Sequence, residues 1–149
     1  MLARLAAAGG LSILLAASLS GQDGRDKLIG TWQVSDAKSD AEVWSLETKG
    51  EVLRISHSVK DKTDQIECNV IGRDCEVKLG GRKATVAMWF NGDMLVEMET
   101  RGNEVTKRRF KVAGNDTLQL DVMAINPPGK TETVEFKRAQ KAETRSAAR

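Results

Sequence analysis

The sequence predicts an all-β protein: an antiparallel up-and-down meander closing into a barrel of about eight to ten strands. Three observations predict it. Beyond the N-terminal segment apolar residues recur at every second position, and no 3.6-residue stripe competes with that alternation. The alternating runs are separated by Gly-, Asn- and Asp-rich links too short for helical crossovers, so sequence neighbours must pair antiparallel. Finally, 149 residues that are 40% hydrophobic and 30% charged suit one core rather than two. So many strands in one sheet curl or close, which removes the exposed edges.

The first segment stands outside this pattern. Met1–Arg4 is a short basic start, and Leu5–Leu19 is an uncharged run of Leu, Ala, Ile, Gly and Ser. Small residues follow at Ser18, Ser20 and Gly21, which is the order of a secretory signal with its cleavage site. The apolar run is shorter than the roughly 20 residues needed to span a bilayer. Residues 1–20 are therefore expected to be a removed signal peptide, cut after Ser20 or after Ser18. The protein would then be periplasmic or secreted, with no transmembrane segment left. No cysteine stands near the cut, so no lipid anchor is expected there. At the other end, Ala139–Arg149 is Ala-, Lys- and Arg-rich without apolar period, and reads as a disordered basic tail. The folded domain is thus expected over residues 21–138.

Leu28–Ser35 is the first expected strand, followed by a polar connection at Asp36–Asp40. Glu42–Thr48 and Val52–Val59 flank a turn at Lys49–Gly50. Gln65–Asn69 and Asp74–Leu79 surround the two cysteines, and Gly80–Gly81 is a break. Lys83–Phe90 leads into Asn91–Gly92, a strong hairpin signal because both turn positions favour positive φ. Asp93–Thr100, a three-residue loop at 101–103, Glu104–Val112, Thr117–Ala124 and Thr131–Arg138 complete the meander.

Cys68 and Cys75 are the only cysteines. A tight turn around Val70–Arg73 would set them opposite each other, and outside the cytosol such a pair oxidises. Closing an eight-residue loop contributes about 2.5 kcal/mol on the chain-entropy model. A redox dithiol would place its cysteines closer, and two thiolates with no neighbouring histidine make a poor zinc site. A structural disulfide is the expectation.

Side-chain alternation assigns an interior. Ala84, Val86, Met88 and Phe90 form one row, Leu118, Leu120, Val122 and Ala124 another, and Val134 and Phe136 a third. With a three-residue loop at 101–103, Glu97 stands opposite Lys107 on the outer face. Met94, Val96 and Met98 then turn inward, as do Thr106, Arg108 and Phe110. Methionine adapts to ligands of varied shape and equally fills gaps in a closed core. An inward Arg108 needs a partner, because an isolated buried charge costs several kcal/mol. Three solutions stand open: an internal carboxylate, with Glu132 first; water at the rim; or an anionic ligand such as a fatty-acid carboxylate. A one-residue slip would turn Arg108 outward.

Leu28-Ile29-Gly30-Thr31-Trp32 resembles the Gly-x-Trp opening of the calycin superfamily, the lipocalins and fatty-acid-binding proteins. The resemblance implies a barrel whose last strand carries a basic residue packed over that tryptophan. Arg138, in Val134-Glu135-Phe136-Lys137-Arg138, is the candidate, so Gly30, Trp32 and Arg138 would close the barrel. A guanidinium over an indole gains about 0.5–2 kcal/mol. The match stops there. No Thr-Asp-Tyr motif and no Arg-x-Tyr pair can exist, because there is no tyrosine. Asp36–Ala41 is too short for the helix pair of fatty-acid-binding proteins. The family's ligand residues therefore do not carry over. With its paired cysteines and its Trp89–Gly92 turn, the chain also resembles uncharacterised exported bacterial proteins.

Composition narrows function further. The 23 basic and 21 acidic residues leave a net charge of +2, and the Lys107–Lys111 run is matched by neighbouring acids. That argues against nucleic acid, which demands a cationic surplus. His57 is the sole histidine. Ser56 and Ser58 flank it and point to the opposite face. There is no Gly-x-Ser-x-Gly turn, no set of imidazoles for a metal, and no phosphate loop around Gly80–Gly81. The chain is read as a non-enzyme without metal or cofactor. The expected function is exported, lipocalin-like binding of a small apolar or amphipathic ligand. Arg108, Phe110, Met94, Met98, Met88 and His57 are the candidate ligand residues. The alternative is a closed-core β module acting through its surface as an interaction or inhibitor protein. A connected apolar cavity of a few hundred Å3 separates the two. Oligomeric state is open.

Overall fold

A computed structural model describes residues 24–34 and 42–139. The expected signal, the Asp36–Asp40 connection and the tail beyond Ala139 lie outside these residues. The described chain forms ten strands: β1 (Gly30–Gln33), β2 (Val43–Lys49), β3 (Val52–Val59), β4 (Lys62–Asn69), β5 (Cys75–Leu79), β6 (Arg82–Asn91), β7 (Met94–Arg101), β8 (Glu104–Ala113), β9 (Thr117–Asn126) and β10 (Thr131–Arg138). They make one sheet in the order β4-β3-β2-β1-β10-β9-β8-β7-β6-β5. Every pair is antiparallel, including β1 with β10, which joins the two ends of the chain. The expected all-β meander is what the chain adopts. Among the described residues no helix is long and apolar enough to cross a membrane.

The barrel has one seam. β4 and β5 are the terminal strands of the sheet order and are not paired with each other. The Cys68–Cys75 disulfide joins them, with Cα atoms 6.0 Å apart. The cysteine hairpin expected from the sequence is therefore covalent only. The Val70–Asp74 link swings towards β6 instead, where the Gly72 amide donates to the Met88 carbonyl at 2.8 Å. At the other end of the seam the Gly80 amide donates to Asp64 Oδ1 at 3.0 Å.

Leu28–Ser35 is a shorter strand than the alternation suggests. A helical turn at residues 24–26 precedes it, and Leu28 lies buried below the barrel as a plug. Its carbonyl accepts from Trp32 Nε1 at 3.0 Å. The Arg138 guanidinium lies 4.1 Å over the Trp32 ring and donates to the carbonyls of Ile29 (2.9 Å) and Lys27 (2.7 Å). Gly30 leaves room for that guanidinium: a Cβ there would stand 2.6 Å from Arg138 Nη1, and its φ of +139° disfavours other residues. Trp32, Leu95, Phe110, Leu118 and Phe136 fill the lower half of the interior and are fully buried. Each such side chain contributes about 1.5–3 kcal/mol.

Candidate functional site

The polar part of the interior is built by register. Glu97 on β7 pairs with Arg108 on β8, and Glu99 with Thr106, because Arg101 pairs with Glu104. Gly102–Asn103 is thus a two-residue turn, with Gly102 at φ 56°. One residue fewer in the loop moves each β7 side chain to the other face. Leu95, Glu97 and Glu99 point inward, whereas Met94, Val96 and Met98 lie on the outer face. The expectation that Met94 and Met98 line the interior is overturned for this reason. So is the outer pairing of Glu97 with Lys107, which stands across from Met98 instead. Arg109 on the outer face bonds Asp121 at 3.0 Å.

Arg108 does point inward, and its partner is an internal carboxylate, but not Glu132. Its Nη1 donates to Glu99 Oε2 at 2.8 Å and to Glu97 Oε1 at 3.3 Å. Glu132 is exposed on β10 and pairs with Val122. Arg101 also donates from Nε to Glu99 Oε1. Among the described residues Glu97 and Glu99 are the two buried charged ones, only 3% and 7% exposed. Burial pushes the Glu97 carboxyl above its ordinary value; Arg108 opposes that shift and Glu99 adds to it. Burial would also lower Arg108, but the two carboxylates more than offset it and hold the guanidinium charged.

Across the interior, His57 sits on β3 with Leu53 and Ile55 in its inward row. Its ring stacks on Trp44 of β2, with centroids 3.9 Å apart. Glu42 Oε1 meets His57 Nε2 at 2.8 Å and accepts from Trp44 Nε1 at 3.0 Å. Trp44 in turn meets Phe110 edge-on at 5.3 Å. Between these groups lies a chamber of about 50 Å3, bounded by Trp44, His57, Asp64, Glu97, Glu99 and Arg108, with Ile55, Ile66 and Leu79 as its apolar side. Such a space holds a few water-sized groups, at about 10–15 Å3 each.

Of the six candidate ligand residues, Arg108 and His57 border the chamber. Phe110 stands behind Trp44, Met88 is buried in the core, and Met94 and Met98 lie outside. Sequence reasoning missed Trp44, Asp64, Glu97 and Glu99 as chamber residues. Reading Gly102–Asn103 as the whole turn would have found the two glutamates. The chamber is neither large nor purely apolar, and Arg108 is already neutralised within the protein. A fatty-acid carboxylate is therefore not what completes it in this structure. Among the described residues, no group of three or more His, Cys, Asp or Glu side chains is arranged to hold a metal.

No protein-family model matches the chain, and no curated protein is detectably similar in sequence. Its architecture, however, recurs in solved structures. A secretory abundant heat soluble (SAHS) protein from Ramazzottius varieornatus superposes with a TM-score of 0.66 at 13% identity, over 76% of this chain and 96% of that one. A Schistosoma mansoni fatty acid binding protein in complex with arachidonic acid gives 0.65 at 15% identity, covering 78% and 99%. Fatty-acid-binding protein 1 of Echinococcus granulosus gives 0.64 at 10% identity, covering 77% and 99%. At such identities the likeness is one of fold: the chain is a calycin-like barrel.

Proposed function

We propose that this calycin-like barrel is an exported, non-catalytic binding protein for a small amphipathic molecule, whose head group occupies the chamber beside Arg108 and His57. The observation that carries the reading is a set of charged side chains buried inside the barrel around an open space. Burying such a cluster costs more than packing apolar residues of the same volume. A binding role gives that cost a purpose. The fold supports the reading, since barrels of this architecture include proteins named for fatty acids. Export is supported by the Arg4–Gly21 pattern and by the joined cysteines.

Trp44 borders the chamber and serves as its reporter. Chain purified from its own periplasm or medium, analysed by native mass spectrometry, is expected to carry a small molecule. Tryptophan emission is expected to change saturably with an amphiphile, and Trp44→Phe to abolish the change. Absence of both overturns the proposal. The small size of the chamber favours a second reading, a closed-core module acting through its outer surface. Trp89 lies half-buried on that face, cross-strand from Val96, which is itself buried. An amphiphile-insensitive Trp44 selects this reading.

A further inference from the structure

We infer that the chamber selects an amphipathic cation, a primary or methylated ammonium with an apolar tail, rather than a carboxylate. This rests on the binding reading above. The two guanidinium groups bordering the chamber, Arg108 and Arg101, would ordinarily attract an anion, and both are occupied, Arg101 by Glu99. Arg108 Nη1 already serves Glu99 and Glu97, so a ligand carboxylate would be the third anion around one guanidinium.

The balance of charge points the same way. The acids bordering the chamber, Asp64, Glu97 and Glu99, outnumber Arg101 and Arg108. The Glu42–His57 pair behind them is neutral if the imidazole is protonated and negative if it is not, so it never supplies net positive charge. A cation entering this space meets net attraction in a low-dielectric setting, where it is stronger than in water.

One carboxylate lacks a close partner. The Glu97 side chain is 4% exposed, yet its contacts are Arg108 Nη1 at 3.3 Å to Oε1 and 3.5 Å to Oε2. Charge-assisted bonds ordinarily close to about 2.7–2.9 Å. A protonated amine in the chamber would supply the missing donor. The volume of about 50 Å3 fits a compact head group. Its apolar side includes Ile66 of β4 and Leu79 of β5, one on each side of the seam, and these are the apolar side chains that an alkyl tail would meet.

The test compares three probes of equal chain length, decylammonium, decanol and decanoate, below their micellar concentrations. Tryptophan emission is read in a Trp89→Phe background, which keeps Trp44 and Trp32, and Trp44→Phe in the same background gives the blank that isolates Trp44. Decylammonium is expected to saturate with a Kd at least about tenfold below that of decanoate, the scale of one charge-assisted hydrogen bond. Glu97→Gln is expected to erase that preference. Asp64→Asn, at the chamber rim, should reduce it and serves if Glu97→Gln fails to fold. Decanoate binding as tightly as decylammonium, or equal binding of all three, overturns the cation inference and leaves the binding barrel standing. No response to any probe overturns both.

Discussion

Replacing Arg108 by methionine removes the guanidinium while keeping most of the side-chain stem that packs in the barrel. The two carboxylates then respond differently. Glu99 retains Arg101, which reaches its Oε1. Glu97 loses its hydrogen-bonding partner and stays buried, with its side chain 4% exposed. Breaking a buried ion pair from one side costs about 3–5 kcal/mol, because the surviving charge is left uncompensated. The long 3.3 Å contact and the partial exposure of Arg108 place this case at the low end, about 3 kcal/mol. For a domain of this size that is a drop in Tm of about 10–15 °C. Urea unfolding followed by far-UV circular dichroism and by tryptophan emission measures it. The decisive companion is Arg108→Met with Glu97→Gln, which removes the orphaned charge and is expected to restore more than half of the loss. A single-mutant cost below about 1 kcal/mol, the scale of an exposed pair, would refute the buried-pair account. So would a double mutant no more stable than the single one.

Further outcomes concern the barrel closure, the disulfide and two titrating carboxylates, one of them Glu97. Gly30→Ala is expected to cost about 2–3 kcal/mol through the positive φ and the clash with Arg138, and clearly less in an Arg138→Ala background, as a double-mutant cycle in urea would show. Reducing Cys68–Cys75 should lower unfolding free energy by about 2.5 kcal/mol, measured with and without dithiothreitol. Because burial raises Glu97, its stabilising contribution is full below its ordinary value of 4.5 and is lost as pH rises through the higher folded-state value; Glu97→Gln should remove that decline. Asp121 behaves oppositely. Hydrogen bonding from Thr133, reinforced by Gln119 and Arg109, holds it below 3.8, so its contribution is present above that value and is lost as pH falls through the lower folded-state value. Asp121→Asn should flatten that acid limb in a pH series of thermal melts.

The local rules of the chain were sufficient for its architecture. Alternation of apolar residues together with short polar links determines an antiparallel meander wherever it occurs. The limits of β3 and β10 and the inward rows of β6, β9 and β10 follow from period alone; the hairpin signalled by Asn91–Gly92 forms, but its two-residue turn is Gly92–Asp93, because Asn91 stays in β6 with a negative φ and pairs with Met94. Arg138 over Trp32 was legible through resemblance, since the two lie more than a hundred residues apart and nothing local connects them. What alternation could not determine was the face of β7. Both of its rows, Met94-Val96-Met98 and Leu95-Glu97-Glu99, are self-consistent, and the choice depended on whether the turn before β8 holds three residues or two. The apolar-looking choice was the wrong one, because Arg108 across the ladder makes the acidic row tolerable inside. The seam between β4 and β5 was equally invisible. Two cysteines seven residues apart specify proximity, but whether their strands also share a ladder depends on where β3 and β6 hold them. A strand's period is local. Its register, the partner of a buried charge and the place where a closed sheet stays open are properties of the whole barrel, and only the tertiary structure decides them.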